Sequence, residues 1–504
     1  MQSRTHEVER KLAVHGPFDL PDLSQIEDVT SVEEASPQRL RATYYDTADL
    51  RLARNGITLR YRSGEDAGPI WTVKLPVDGA AFTRDEVNVQ GSGSSVPREA
   101  SDLVTAFVRS EHLTPVTRIH TRRKRLNLLN GSGDTGTEVV DDEVSVVEGS
   151  RVVSRFRELE VEDKGAGPRA VARVAAVLQD AGAVAGDSTP KALRALGARA
   201  NAEPDIVPPK KISSKKPAGR AVERSLASGT YRMIANDPGT RLGAEESVHQ
   251  MRVAARRMRS DLRTFGPLVG ENWARSLVTE LKWIADRLGE VRDLDVMQMR
   301  LRKAGGGMED SLASLFASMD AKHDVARDHL LEGLRSDRFV SLLDRLVEAS
   351  HSPVLTKAAE EQSCAEALPP LVREAWQILA RRARSLRPGD PDGDFHRVRI
   401  LAKRARYAGE AVAPSLGKKV GKQASTFAAR CADVQDVLGT LQDAVVSAGM
   451  VRHLAEEHHG DGPFNLALGR LLERQELALR ESKQSWPKVW ASLDKPKNVA
   501  WLES

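Results

Sequence analysis

Alternating hydrophobic and polar positions dominate the first third of the chain. Eight segments within residues 4–163 place apolar residues at about every second position, and Gly, Asp, Asn or Pro separates most of them. This period is typical of antiparallel strands with one buried face. We therefore predict an antiparallel sheet or barrel, with helices near residues 98–112 and 167–182. The segments are HEVERKLAV, ATYYD, GITLRYRS, PIWTVKLP, TRDEVNVQ, TRRKRLNLL, TEVVDDEVSVVE and SRFRELEVED.

The pattern changes in the middle of the chain. Residues 203–219, EPDIVPPKKISSKKPAG, are rich in Pro and Lys and poor in apolar residues, which is typical of a linker. Beyond them nearly every segment has the 3.6-residue period of helices. The predicted fold class is α+β and multidomain. It has a β domain over residues 1–200, a flexible linker over residues 201–219 and an all-helical domain over residues 220–504.

Charged residues share one face of the predicted strands, because residues two apart on a strand point the same way. A solvated face explains any single strand, but like charges stacked along a strand repel one another. An interior face explains the whole set better, with carboxylates for Mg²⁺ or Mn²⁺ and basic side chains for phosphate oxygens. The residues are Glu7, Glu9, Lys11, Arg60, Arg62, Lys74, Arg84, Glu86, Arg123, Arg125, Glu158, Glu160 and Glu162.

The order of these motifs resembles the CYTH family of triphosphate tunnel metalloenzymes. The motifs EVERK, YYDTADLRLARNGITLRYR, WTVKLP, RELEVE and STPKALRAL carry the resemblance over about residues 4–200. It implies an antiparallel tunnel of eight strands. It also implies hydrolysis of tripolyphosphate or another triphosphate, or cyclisation of ATP, with a divalent metal such as Mg²⁺ or Mn²⁺.

The resemblance also assigns residues. The metal ligands it implies are Glu7, Glu9, Glu160 and Glu162, with Glu158 as an additional candidate, and Lys11 joins the first four as catalytic. The triphosphate-binding residues it implies are Lys11, Arg60, Arg62, Lys74, Arg84, Arg123, Arg125 and Lys191. Two points stay open: Arg122 is an alternative to Arg123, and Pro190 as a first helical residue would redirect Lys191.

Two basic segments stand out in the helical domain: HQMRVAARRMR at residues 249–259 and HRVRILAKRAR at residues 396–406. On a helical wheel the basic residues of the first fall within about 80° of one another, beside an apolar stripe. The second follows the same rule. The two stripes are His249, Arg252, Arg256 and Arg259, and His396, Arg399, Lys403 and Arg406.

A second repeated motif is found in LGEVRDLDV at residues 288–296 and LGTLQDAVV at residues 438–446. Two motifs repeated in the same order indicate an internal duplication, so we expect two helical bundles with their basic helices facing each other. Neither stripe contains an acid, and converging cations without acids favour an external polyanion. A metal site at the two histidines is disfavoured, because neither has a second histidine one turn away.

These segments, with LKWIADRLGEVRDLDV and VQDVLGTLQDA, resemble the CHAD family over about residues 220–500. The resemblance implies binding of inorganic polyphosphate by both stripes and Lys282. Nucleic acid is disfavoured as a partner, because aromatic content is 4% and the basic helices offer almost no stacking residues.

Composition changes this picture little. The 75 Lys and Arg residues nearly balance the 71 Asp and Glu residues, for a net charge of +4, so local segregation of charge matters more than the total. The chain has 2 cysteines and no signal-peptide pattern or membrane-spanning run, which predicts a cytoplasmic protein without a membrane partner. Polyphosphate granules are an additional expected location.

Three functions follow from these patterns. The first is a metal-dependent inorganic triphosphatase whose helical domain binds polyphosphate. The second is a non-catalytic polyphosphate-binding or granule-associated scaffold, and the third is an adenylate cyclase. The sequence shows no base-recognition motif, which places the cyclase last.

Overall fold

The structure is a computed structural model that describes residues 2–15, 17–64, 68–76, 83–186, 189–304, 310–457 and 462–503. The chain divides into two compact units, residues 1–205 and 206–504. The predicted linker, residues 201–219, is shared between them. The carbonyl oxygens of Ser214 and Lys216 accept hydrogen bonds from the amides of Ala365 and Cys364. The part of the predicted linker beyond residue 205 is therefore bonded within the second unit.

An antiparallel sheet of nine strands forms the first unit. Its strands are β1 (Gln2–Val14), β2 (Ser31–Asp46), β3 (Thr58–Ser63), β4 (Ile70–Pro76), β5 (Thr83–Val89), β6 (Thr114–Leu129), β7 (Thr135–Glu148), β8 (Arg151–Asp163) and β9 (Val184–Ala185). The order is β5-β4-β3-β2-β6-β7-β8-β1-β9, and β5 also pairs with β1. All eight predicted strands are present. The extra strand, β9, has two residues and is added to β1.

The strand β1 holds the two ends of this order together. It pairs with β5 through residues 2–8 and with β8 through residues 9–14. Through β1, strand β8 is therefore connected to β5, the first strand of the order. Residues far apart in the sequence share one face of the sheet as a result.

Five short helices accompany the sheet in the described part of the unit. They are α1 (Arg51–Arg54), α2 (Arg98–Asp102), α3 (Thr105–Val108), α4 (Pro168–Asp180) and α5 (Lys191–Leu196). Helix α4 packs on the face opposite the glutamates of β8. Leu159 and Val161 of β8 pack in one core with Val171 and Val174 of α4, as the alternation of apolar residues predicts. This packing fixes the register of β8 and directs its glutamates to the opposite face.

Helices dominate the described residues of the second unit. Its helices are α6 (Gly219–Arg241), α7 (Glu245–Thr264), α8 (Glu271–Ala304), α9 (Ala313–Arg335), α10 (Asp337–His351), α11 (Lys357–Glu361), α12 (Cys364–Ala383), α13 (Asp392–Val412), α14 (Gly417–Glu457), α15 (Gly462–Leu493) and α16 (Pro496–Val499). Helices α6 to α9 pack in succession, as do α12 to α15, and α7 packs against α13. None of the described helices is long and apolar enough to cross a bilayer.

Candidate functional site

Strand register places the predicted acidic and basic residues of the first unit on one face, called here the charged face. Glu9 is paired with Glu162, and Lys11 with Glu160, across β1 and β8. Across β7 and β8 the register pairs Asp142 with Glu158. Residues paired directly across antiparallel strands point the same way, so these side chains form a continuous group.

Three carboxylates of the charged face converge. One oxygen from each of Glu9, Glu160 and Glu162 lies within 4.8 Å of the others. Glu9 and Glu160 are buried, and the Glu162 side chain is 12% exposed. The ammonium of Lys11 lies 3.2 Å from Glu9 Oε1 and 3.1 Å from Glu160 Oε1. Opposed charges in one buried group stabilise each other in a low-dielectric setting.

Lys191 joins this carboxylate group from the start of α5. Its Nζ lies 2.5 Å from Asp142 Oδ2 and 3.1 Å from both Glu158 Oε1 and Glu160 Oε2. Pro190 is the residue before the helix, with ψ at 148°, so Lys191 is the first helical residue. The proline therefore directs the lysine into the group instead of diverting it.

Arg123 is the second cation that holds Asp142. It donates two hydrogen bonds to that carboxylate, at 2.9 and 2.7 Å, and lies 3.4 Å from Glu160 Oε2. The side chain of Arg122 is 59% exposed and lies 3.8 Å from Glu143 Oε2 on the opposite face. The structure thus places Arg123, and not Arg122, on the charged face.

The cations lower the pKa of the acids that they surround. Burial raises the pKa of Glu160, but Lys191 and Lys11 outweigh it and hold that pKa well below the ordinary value. Burial lowers the pKa of Lys11, yet Glu160 and Glu9 raise it above the ordinary lysine value. Both groups are therefore charged at neutral pH.

A second, more basic part of the charged face lies on β3 and β4. Lys74 Nζ lies 2.9 Å from Glu86 Oε2. Burial opposes ionisation of Glu86, but Lys74 and Arg60 lower its pKa to about 2. Arg60 and Arg62 also face the buried hydroxyl of Tyr44, whose pKa they lower against the effect of burial.

Four further residues that the sequence predicts for the site of the first unit are Arg125, Glu7, Arg84 and Glu158. Arg125 is paired with Val140, whose other partner is Glu160, so Arg125 belongs to the charged face by register. Glu7 is paired with Arg84 along the backbone, but both side chains lie outside the described residues. Glu158 contacts Lys191 and also Arg194 Nη1, at 3.1 Å.

Sequence patterns missed Asp142, Tyr44 and Arg194. Asp142 lies within VVDDEVS, where adjacent acids belong to opposite faces and conceal the alternation. Glu86 was visible in the sequence, because it stands two residues from Arg84. Tyr44 had no such signal, since a tyrosine on a strand is ordinarily part of a core.

In the second unit, packing of α7 against α13 brings the two basic stripes together. Burial and the charges of Arg256 and Arg399, followed by those of Arg252 and Arg259, lower the pKa of Lys403 to about 7. Burial, Arg252 and Arg399 also lower the pKa of Arg256. We call Arg252, Arg256, Arg259, Arg399 and Lys403 the cationic cluster.

Few acids neutralise the cationic cluster. Arg252 donates to both oxygens of Asp293, at 2.8 and 3.2 Å. In the described part of the unit, the other four members form no ion pair with a carboxylate, and Nε of Arg259 and of Arg399 is buried without a hydrogen-bond partner. Buried donors without partners favour a ligand that supplies acceptors.

Four residues that the sequence predicts for polyphosphate binding are not members of the cationic cluster. Burial, with the nearby charge of Arg292, lowers the pKa of His249. His396 has a buried Nδ1 without a hydrogen-bond partner. Lys282 is exposed on α8. Arg406 forms a 2.8 Å ion pair with Glu410.

The duplicated Leu-Gly pairs have matching positions in the structure. A Cβ at Gly289 would lie 3.5 Å from Arg252 Nη2, and one at Gly439 would lie 3.8 Å from Arg399 Nε. In each half, the arginine from a basic helix thus approaches the backbone of the following long helix. This shared contact supports the duplication inferred from the sequence.

Comparison with protein families matches both units. Residues 5–195 match the CYTH domain and residues 224–452 match the CHAD domain. The chain is 30% identical over 508 residues to an uncharacterized protein of Mycobacterium tuberculosis strain ATCC 25618 / H37Rv, covering 95% of this chain and 94% of that one. The chain therefore belongs to the family of proteins that carry a CYTH domain followed by a CHAD domain.

Two solved structures are similar to parts of the chain. PptA from Streptomyces chartreusis is 20% identical with a TM-score of 0.46, and the match covers 55% of this chain and 100% of that one. The CHAD domain from the plant Ricinus communis is 22% identical with a TM-score of 0.43, and the match covers 55% of this chain and 97% of that one.

Proposed function

We propose that the first unit is a metal-dependent inorganic triphosphatase that converts tripolyphosphate and water to pyrophosphate and phosphate. The observation that carries the proposal is the charged face, where the carboxylates Glu9, Glu160 and Glu162 converge beside cations from several other strands. Carboxylates fit a hard divalent cation and guanidinium groups fit phosphate oxygens. A triphosphate with its metal matches both.

The donor set fits Mg²⁺ or Mn²⁺. Glu9, Glu160 and Glu162 supply oxygen atoms within 4.8 Å of one another, and they would hold the cation. A bound divalent cation neutralises phosphate oxygens and makes a bound water more acidic. Glu158 instead contacts Lys191 and Arg194, so we assign it to positioning these cations.

The basic residues of the charged face bind and orient the phosphate chain. Arg60, Arg62 and Lys74 lie around Glu86 and Tyr44, away from the three converging carboxylates in the sequence but on the same face. Their positive charge stabilises the negative charge that develops on the leaving phosphate. Lys11 and Lys191, held against the carboxylates, contribute charge at the reacting end.

A substrate panel tests this proposal. Tripolyphosphate, ATP, thiamine triphosphate and long-chain polyphosphate are each assayed for phosphate release with Mg²⁺ and with Mn²⁺. We expect turnover of tripolyphosphate, its loss in Glu9→Gln, and its retention in the control Glu143→Gln, whose side chain is 53% exposed on the opposite face. Equal rates for the wild type and Glu9→Gln would contradict the proposal and favour the scaffold function. Cyclic AMP formed from ATP would favour the cyclase.

For the second unit we propose binding of long-chain polyphosphate by the cationic cluster. The supporting observation is that Arg256, Arg259, Arg399 and Lys403 converge without carboxylate partners in the described chain. The affinity for polyphosphate should fall steeply as the salt concentration rises, and duplex DNA should compete poorly at equal phosphate concentration. Displacement of polyphosphate by such DNA would contradict this specificity.

A further inference from the structure

The first unit has a second concentration of basic side chains, on the face of the sheet opposite the charged face. A groove of about 1070 Å³ is lined there by strands β2, β6, β7 and β8. We call it the arginine groove and define it by Arg39, Arg41, His120, Arg122, Arg155 and Arg157. The sequence patterns assigned none of these residues to a ligand on this face.

Basic residues are paired directly across the strands of the arginine groove. Arg39 is opposite Arg122, and Arg41 is opposite His120, in the register of β2 and β6. Two arginines directly opposite one another, such as Arg39 and Arg122, destabilise a sheet, so a bound anion would stabilise this face. The groove itself supplies little balance, because Glu143 is the only carboxylate among its described lining residues.

Most of the groove's arginines are available to a ligand. Arg39, Arg41 and Arg155 are exposed. These three form no ion pair within the described chain, whereas Arg157 is already held by Asp141 at 2.8 Å. Arg122 has only the 3.8 Å contact with Glu143. Several guanidinium groups on adjacent strands about 4.8 Å apart suit a linear chain of anions better than a single one.

The chemistry of the groove favours bare phosphates over nucleotides. Phe156 is the only Phe, Tyr or Trp among its described lining residues. It stands two residues before Glu158 on β8 and so belongs to the charged face, where the guanidinium of Arg194 lies 4.1 Å from the ring centroid. The described face of the groove therefore offers a base no Phe, Tyr or Trp ring to stack on. Arg194 also contacts Glu158 at 3.1 Å, so this residue touches both the groove and the carboxylates of the charged face.

We propose that the arginine groove is a separate binding site for a segment of long-chain polyphosphate. The inference rests on the proposed function only in the choice of polyanion. The first unit would then bind the polymer at a second site, where tripolyphosphate is too short to contact all of the arginines.

Binding to the full-length chain tests this proposal without any need for turnover. The background carries Arg256→Gln and Arg399→Gln to weaken the cationic cluster. Adding Arg39→Gln and Arg41→Gln should weaken the binding of long-chain polyphosphate about tenfold. It should also reduce the slope of log affinity against log salt concentration by about 0.7 per lost cation. The matched control is Arg98→Gln with Arg169→Gln, two exposed arginines of the same unit outside the groove.

Two results would overturn the proposal. One is equal weakening by the groove pair and the control pair, which would show a general effect of charge. The other is displacement of polyphosphate from the background protein by duplex DNA at equal phosphate concentration, which would make the groove a nucleic-acid site. Loss of triphosphatase activity has no bearing on either measurement, so failure of the proposed function is distinguishable.

Discussion

Arg122 and Arg123 are neighbours on β6, yet they serve opposite faces of the sheet. Arg123 Nη2 lies 2.7 Å from Asp142 Oδ2 on the charged face, whereas the Arg122 side chain is 59% exposed beside Glu143. The two residues have the same chemistry and nearly the same place in the sequence. They therefore form a matched pair for testing which face performs the reaction.

Removal of Arg123 should slow tripolyphosphate hydrolysis far more than removal of Arg122. We expect Arg123→Ala to lower kcat/KM by about 10²-fold, because it removes a cation that stabilises developing negative charge. Arg122→Ala should stay within about twofold when tripolyphosphate is the substrate. Thermal melting of both variants checks that Asp142, which retains Lys191, leaves the fold intact. Equal losses in the two variants would contradict the assignment of faces.

Metal binding is expected to depend on Glu162. Glu162→Gln removes one of three converging carboxylates and should weaken Mn²⁺ binding, followed by electron paramagnetic resonance, by about tenfold or more. Glu143→Gln has the same change of charge on the other face and should bind Mn²⁺ like the wild type. An unchanged affinity in Glu162→Gln would exclude this group as the metal site.

Polyphosphate binding by the second unit should weaken as pH rises above about 7. The pKa of Lys403 is about 7 in the free protein, because burial and then Arg256 and Arg399 disfavour its charged form. A bound polyanion favours the charged form and raises that pKa, so the complex holds more protons than the free protein. The dissociation constant should therefore rise by up to about tenfold per pH unit between pH 7 and 9.

The variant Lys403→Arg isolates this effect. An arginine stays charged over the whole range, so the slope should be lost and binding at pH 9 should be tighter than in the wild type. The same slope in both proteins would show that another group titrates.

Asp293 competes with a polyanion for Arg252. Its carboxylate is 71% exposed and accepts two hydrogen bonds from that arginine. We expect Asp293→Asn to bind polyphosphate about threefold more tightly, a modest gain because exposed ion pairs are weak. Asp286→Asn removes an exposed acid from the same helix, and isothermal titration calorimetry compares the two. An equal gain in both variants would reflect net charge alone.

Much of the first unit could be predicted from alternation alone. The eight predicted strands are present, and Glu9, Lys11, Glu160 and Glu162 share one face because all keep the two-residue spacing. The choice between Arg122 and Arg123 needed the register of β6 against β7, which pairs Arg123 with Asp142 and Arg122 with Glu143. Spacing within a single strand also cannot reveal an irregularity in pairing, such as the register shift between Ala35 and Gln38 where β2 pairs with β6.

The helical unit shows a similar division. The wheel and the duplication predicted two basic stripes that meet, and the charges of both stripes act on Lys403. The Arg406–Glu410 ion pair has the i, i+4 spacing that brings helix side chains together, and the wheel missed it because Glu410 lies beyond residues 396–406. Lys282, carried over from the family resemblance, is exposed on α8.

The lysine at the start of α5 has a consequence for the order in which the first unit can form. Glu158, Glu160 and Asp142 are all buried, and Lys191, near the end of the unit, contacts all three. During synthesis on the ribosome these acids precede their lysine by at least 31 positions. Asp142 and Glu160 already have Arg123 and Lys11 as partners by then, whereas Glu158 forms its ion pairs with Lys191 and Arg194, both of α5. Because a buried carboxylate without a partner is costly, we expect Glu158 to stay hydrated until α5 emerges. Burial of Glu158 should therefore be coupled to the docking of α5 on the sheet.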